Sequence, residues 1–191
     1  MDPGWDGRVH PVIAVRSPED GAVLSVPPDV VPEARRIAAR GGLAELVEGL
    51  GPLMGRPQDR LRSGVFRWSE APAPAALLPD AGEWFPADDP RLPPWLRPFG
   101  GHVLAALIDG EYASAVGLKR HDRFGREVAV GTEKRFEGRG LGRRLVAQAA
   151  RRVVEEGMVA TYLHDPSNVA SGLVAAAAGF PDRGWTVLGL W

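Results

Sequence analysis

A glycine-rich turn set between a strand-like run and an amphipathic helix constrains this chain more than any other feature. Glu127-Val128-Ala129-Val130 reads as strand, and Glu137-Gly138-Arg139-Gly140-Leu141-Gly142-Arg143-Arg144 as the turn and the opening of the helix. Glycines let the backbone turn tightly with no Cβ in the way, and the first N–H groups of a helix have no partner inside it. Strand, glycine loop and helix in that order therefore build an anion cradle. Arg139, Arg143 and Arg144 add full charges to the partial positive end of the helix, which suits a polyanion such as a pyrophosphate. An ordinary strand-to-helix turn with solvated arginines is the plain alternative.

Composition limits what else the chain does. Its 191 residues, 45% hydrophobic, suffice for one good core or two small ones. A formal net charge of −1 leaves the arginines balanced, so bulk charge suggests neither nucleic acid nor an anionic membrane as partner. Any anion site must be local. The absence of cysteine excludes disulfides, thiolate metal sites and cysteine nucleophiles, and no other pattern supports a metal or a Ser-His-Asp triad. Met1-Asp2-Pro3-Gly4-Trp5-Asp6-Gly7 has neither a basic segment nor an apolar run, and no stretch approaches a membrane span. A cytoplasmic location is the default expectation. Arginine is used almost to the exclusion of lysine, a compositional hint of a GC-rich bacterial genome.

Two halves of different texture follow one another. The first predicts a hairpin, Val9 to Arg16 and Ala22 to Val26, then a helical stretch from Asp29 to Leu50 broken at Gly41-Gly42, then a short strand from Val65 to Ser69. Between Ala71 and Pro98 lie eight prolines interleaved with Trp84, Phe85 and Trp95, with Phe99 following. Proline at that density denies regular hydrogen bonding, while the aromatics argue against a disordered linker. The reading is an ordered extended wrap over the core. From Gly100 the pattern is regular: His102 to Ile108 and Glu111 to Arg120 form a hairpin on Asp109-Gly110, whose residues accept positive φ. A strand from Arg126 to Thr132 leads into the glycine loop. Leu141, Leu145, Ala149 and Val153 then make one apolar stripe on a helix from Leu141 to Glu156. Met158 to Leu163, Asn168 to Ala178 and Trp185 to Leu190 complete a β-β-β-α-β-α-β order.

The run from Val130 to Gly142 resembles the acetyl-CoA signature of the GNAT-superfamily N-acetyltransferases. Asn168-Val169-Ala170-Ser171, followed by Gly179-Phe180, resembles a second segment of that family. The resemblance covers residues 100–191 and implies an α+β fold: a GNAT-like, mixed, mostly antiparallel sheet flanked by helices. Residues 100–191 would be the acetyl-CoA-binding catalytic half. Residues 1–99, the N-terminal hairpin and helix extension with the proline-aromatic wrap, would front it, the wrap either as a wall for the acceptor or as an aromatic-pinned loop with no ligand role. The resemblance further implies that amides of Gly138, Arg139, Gly140, Leu141 and Gly142, with Arg143, hold the pyrophosphate of acetyl-CoA. Val130, Gly131 and Thr132 would lie along the pantetheine arm like an added strand edge, with an N–H near Val130 facing the thioester oxygen. Asn168 and Ser171 match cofactor-contacting positions, and an Asn at a helix start is also a capping residue.

Acetylation of an amine needs a group that accepts its proton and one that reprotonates the departing thiolate. Strand alternation puts Glu127, Ala129 and Gly131 on one face, so Glu127 is the candidate base, against the alternative of a solvated strand-end glutamate. His102, His121 and His164 have suitable chemistry but no pattern selects one. Three departures from the family pattern stand out. Glu137 puts an acid at the start of the glycine signature, Ala175 occupies a position where many members carry a proton-donating Tyr, and eleven residues follow Phe180. Thiolate protonation would then fall to water, to another residue such as Tyr162, or to nothing. The expected reaction is acetyl transfer to a primary amine of a small molecule or peptide, by direct attack. The expected partners are that amine and, as an open case, a second copy of the chain. Trp84, Trp95, Glu83, Asp88 and Asp89 are candidates to line the acceptor pocket, against the alternative that they decorate a surface loop. Two rivals remain: a domain that binds acyl-CoA and transfers nothing, and a dinucleotide-binding enzyme with Asp165 as its ribose acid.

Overall fold

Residues 12–58 and 62–190 are described by the computed structural model, and the order of elements is set by the turn chemistry between them. The elements are β1 (Val12–Ser17), β2 (Gly21–Ser25), α1 (Val31–Leu53), β3 (Arg62–Ser69), β4 (Glu83–Pro86), a 3₁₀ turn (Pro94–Phe99), β5 (His102–Ile108) and β6 (Glu111–Lys119). There follow β7 (Gly125–Thr132), a second 3₁₀ turn (Lys134–Phe136), α2 (Leu141–Glu155), β8 (Val159–His164), α3 (Val169–Ala177) and β9 (Trp185–Leu190). From residue 102 onward this is the order that the sequence predicts. Asp109 and Gly110 adopt φ of 54° and 80°, as the tight hairpin requires. The described residues form two compact units, one running up to Val65 together with the stretch from Arg183, the other Phe66–Asp182.

In the first unit β1 pairs antiparallel with both β2 and β9. Ser17 Oγ accepts from the amides of Glu19 and Asp20 and closes the turn between β1 and β2. Val9 to Pro11, the expected start of this hairpin, lie outside the described residues. Val12, Val30, Ala34, Leu46 and Leu50 form its core, and α1 is interrupted at Gly42, whose φ of 67° and ψ of −155° no helix accommodates.

The second unit carries the sheet order β3-β8-β7-β6-β5-β4, antiparallel at β4–β5, β5–β6 and β6–β7 and parallel at β7–β8. Antiparallel neighbours from β4 through β7 rule out the parallel sheet that a dinucleotide-binding fold needs, so that rival is set aside. On one face α2 and α3 bury Leu104, Val116, Val128, Tyr162 and Phe180 against Leu145, Val146, Ala149, Val153 and Ala175. Burial of each large aliphatic here stabilises the fold by about 1.5–3 kcal/mol. On the other face Val103, Ala105 and Ala115 pack under Ala87, Leu92 and Leu96 of the proline-rich segment.

That segment corrects one expectation. Glu83–Pro86 is a true strand, registered Glu83↔Ala105 to Pro86↔His102. It escapes the proline rule because Pro79 lies before it and Pro86 closes it, at an edge of the sheet where one row of N–H groups needs no strand partner. Prolines supply no N–H, so what ties the wrap down is donation from α2 into its carbonyls. Arg144 donates to Pro79 O (2.9 Å) and Asp80 O (2.7 Å), and Arg151 to Ala73 O and Leu78 O. Gln148 accepts from the amides of Ala81 and Gly82 and donates to Gly82 O. Arg144 is therefore turned to the wrap and not to the glycine loop, because it shares one helix face with Gln148 and Arg151.

Two glycines let the wrap's aromatics reach the sheet. A methyl group on Gly117 would stand 2.5 Å from the Phe99 ring, and one on Gly131 2.8 Å from Trp95 Cζ2. The two rings meet edge to face at 5.8 Å. Gly117→Ala is expected to destabilise the protein by about 1–3 kcal/mol through overpacking. Urea unfolding should show a lower midpoint with an unchanged slope.

Candidate functional site

The site begins at a helix end that nothing caps. Gly140, at φ 75°, is the N-cap of α2, with no side-chain hydrogen bond to the first turn and no acid within that turn. Gly138 shares the left-handed conformation, with φ 74°. First-turn amides are thus exposed together with the positive end of the helix dipole, the geometry that an anion cradle would need.

From this helix end a groove of about 560 Å³ runs along β7 to β8 and α3. Of the residues expected to hold the cosubstrate, Val130, Thr132, Gly138, Gly140, Leu141, Gly142, Arg143, Asn168 and Ser171 line it. Gly131 faces the other way, toward Trp95, and its carbonyl accepts from Tyr112 and Ser114, each at 3.0 Å. Arg139 lies over the Phe136 ring at 5.0 Å, and Phe136 is itself a lining residue. Arg143 folds back over the loop, so that a methyl group on Gly140 would meet its Nε at 3.0 Å. Glu137 is exposed at the groove, and Arg135 pairs with Glu111. Asn168 caps α3 by accepting from the Ser171 amide (2.9 Å), as its position predicts.

Sequence reasoning missed the apolar wall made by Phe136, Ala170, Leu173, Val174 and Ala177. Its signal was present: on α3 these positions recur at helical spacing and leave Leu173 exposed along the groove.

The groove deepens where two strands part. β7 and β8 pair from Gly125↔Val159 to Val128↔Tyr162, and the register stops there. Glu133 N–H donates to Ala113 O on the β6 side, so by alternation Gly131 and Ala129 turn their backbone groups toward β6. Val130 and Thr132 turn theirs toward the opening. Tyr162, at the apex, shares a 2.8 Å hydrogen bond with Ser171 Oγ. Burial pushes its phenol up, and the Ser171 hydrogen bond and the Arg67 charge offset part of that rise. Tyr162 is protonated at neutral pH.

Glu127 lies on the opposite face of β7 from the groove's Val130 and Thr132, where the alternation places it. It is not a solvated strand end: its side chain is 9% exposed and both carboxylate oxygens are engaged, Oε1 by Lys119 and Oε2 by His121 Nε2 at 3.1 Å. Lys119 sits directly across from it in the β6–β7 register. Burial by itself would raise the Glu127 carboxyl, but the His121 hydrogen bond and the Lys119 charge and hydrogen bond outweigh it and hold the carboxyl below its usual range.

Trp84 and Trp95, expected to share a pocket, lie on opposite faces of the sheet. Trp84 carries the Arg152 guanidinium at 4.6 Å beside α2, in a hollow of about 380 Å³ whose Arg151 and Arg152 are paired to Asp80 and Glu156. Asp89 is held at about 2 by its Arg91 hydrogen bonds. Among the described residues no cluster of three or more His, Asp or Glu is arranged to hold a metal ion, and no helix is long and apolar enough to cross a membrane.

A sequence model of the acetyltransferase (GNAT) family matches residues 64–180, which span the groove, the cradle and Glu127. The chain belongs to this family of acyltransferases. No curated protein sequence matches the chain. Among solved structures, it is similar to a GNAT-family acetyltransferase of Novosphingobium aromaticivorans, at 22% identity and TM-score 0.55 over 69% of this chain and 64% of that one. It is also similar to a GNAT-family acetyltransferase of Colwellia psychrerythraea, at 12% identity and TM-score 0.56 over 88% of this chain and 76% of that one. Both likenesses are likenesses of fold.

The Glu127 cluster makes the fold sensitive to acid. A depressed folded-state pKa contributes stability above the ordinary carboxylate range, and that contribution is lost as pH falls through the folded value, below 4.5. Glu127→Gln is expected to be less stable than wild type at neutral pH by about 1–3 kcal/mol. Urea unfolding should show the gap closing as pH is lowered toward about 3; a gap of constant size would contradict the account.

Proposed function

We propose that the chain is an N-acetyltransferase that moves an acetyl group from acetyl-CoA directly to a primary amine of a small molecule or peptide. The observation that carries this reading is the continuity of one groove from the uncapped end of α2 to the apex where β7 leaves β8. Bound there, acetyl-CoA supplies the acetyl thioester. Gly138, Arg139, Gly140, Leu141 and Gly142 offer backbone N–H groups to the pyrophosphate, and Arg143 adds charge within reach of a swing off Gly140. Val130 and Thr132 present unpaired strand edges to the pantetheine amides. The Val130 N–H is placed to donate to the oxygen that gathers negative charge during transfer. Asn168 and Ser171 line the far wall.

Tyr162 is the proton donor to the sulfur, since it is protonated, stands at the apex and is oriented by Ser171. The acceptor enters from the Glu127 face, where Trp95 of the wrap is partly exposed over Gly131. The neutralised Glu127 pair makes this wall aromatic more than acidic.

Isothermal calorimetry with acetyl-CoA is the primary test, with saturable binding expected. Gly142→Glu puts a carboxylate in the cradle and is expected to weaken that binding at least about tenfold, or about 1.4 kcal/mol. Tyr162→Phe should keep the affinity and slow thiol release over an amine panel by about 100-fold. Binding without thiol release from any amine would instead favour a domain that holds acyl-CoA and transfers nothing.

A further inference from the structure

A nearly buried carboxylate with both oxygens engaged holds an imidazole that is half exposed. Lys119 and Glu127 face each other across β6 and β7, and the five residues between these strands form a loop fixed by its own backbone. Asp122 Oδ1 accepts from the amides of Phe124 (2.7 Å) and Gly125 (3.0 Å), and Arg126 donates to Asp122 O (2.7 Å) and Gly125 O (2.7 Å). This loop returns His121 onto Glu127 Oε2.

Both oxygens of the carboxylate are taken and its side chain is 9% exposed, whereas the His121 side chain is 46% exposed. We infer that His121, positioned by Glu127, accepts the proton of the incoming amine. The assignment rests on the acetyl-transfer reading above and names the group that completes it.

The tautomer follows from the contact. An ionised carboxylate has only acceptors, so His121 Nε2 carries the hydrogen and donates it, leaving the Nδ1 lone pair free. This is the base-and-orienter arrangement by which a carboxylate holds an imidazole for proton transfer. Lys119 shares the same carboxylate, Asp122 is committed to the loop amides and Arg126 to the loop carbonyls. Among the other described histidines, His102 is exposed at the β4–β5 pairing, and His164 is buried with Nδ1 on Asp165 O.

The dyad stands where the reaction would need it. Glu127 immediately precedes Val128, the last β7 residue paired to β8, and Ala129, next on its face, lies about 7 Å farther along the strand. The opening therefore begins beside the dyad, on the side away from the groove.

In the step proposed, His121 Nδ1 takes one proton from the protonated amine and frees its lone pair. That pair forms the new C–N bond to the acetyl carbon, the C–S bond breaks with its electrons staying on sulfur, and sulfur takes a proton from Tyr162. The second amine proton passes to solvent, from which the phenolate is reprotonated, and His121 later yields its own to solvent. Amide, thiol and a released proton balance the protonated amine and thioester consumed.

The test combines kinetics with a readout that needs no turnover. His121→Gln keeps a polar partner for Glu127 but accepts no proton, and should lower kcat at least about 100-fold with acetyl-CoA affinity unchanged. It should also erase the acid limb of the pH–rate profile, and imidazole should partly rescue His121→Ala. Glu127→Gln should lose less activity, because the imidazole that takes the proton remains and only the group that orients it is changed. Independently, nitrogen–proton NMR of the imidazole should show the Nε2–H tautomer in the wild type. His121→Gln within threefold of wild-type kcat, or an Nδ1–H tautomer, would overturn the assignment while leaving the acetyl-transfer reading intact. A wild type that binds acetyl-CoA but acetylates no amine would overturn both.

Discussion

Parallel strands that pair for four residues and then separate are the constraint on which this molecule depends. A continuous β7–β8 ladder would satisfy every backbone group of Val130 and Thr132 and leave nothing for a ligand. Stopping the register at Val128↔Tyr162 creates an edge inside the sheet, where edges are otherwise a liability. Everything around the opening is consistent with keeping it open. The uncapped start of α2 lies at one end, and the phenol of Tyr162 fills the apex with its hydroxyl on Ser171. Glu127 is pinned from two sides just before the strands part.

The faces of the sheet divide the labour. Val130, Thr132 and Tyr162 look toward the helices and the groove, while Gly131 looks toward Trp95 of the wrap and shares its face of β7 with Glu127 and Ala129. On the reading proposed above, acyl donor and acceptor would approach from opposite sides and meet through the gap, with no need for either to displace the other. Small residues on the wrap side serve this division. Gly131 and Gly117 bring Trp95 and Phe99 down onto the sheet.

Much of this was legible before any coordinates. The order of elements from residue 102, the Asp109-Gly110 hairpin, the break at Gly42 and the exposed cradle at Gly140 all follow from local rules, since turn chemistry and helix ends act over a few residues. The groove lining from Val130 to Ser171 was legible through motif spacing. Long-range pairing was not. Nothing local shows that Lys119 and His121 would clamp Glu127, because that depends on cross-strand register and on how a five-residue loop folds back. Arg144 was read as part of the cradle, yet its destination is set by the carbonyls of a segment more than sixty residues earlier. The strand at Glu83–Pro86 was hidden by prolines that flank it and do not interrupt it.

The way α2 fastens the wrap has a wider consequence. Arg144 and Arg151 chiefly address main-chain oxygens, and Gln148 reads only the backbone of Ala81 and Gly82. A tether of that kind is largely indifferent to side-chain identity. Exposed residues of the wrap are thus free to drift, a panel that selection can repaint while the hinge that hangs it stays put.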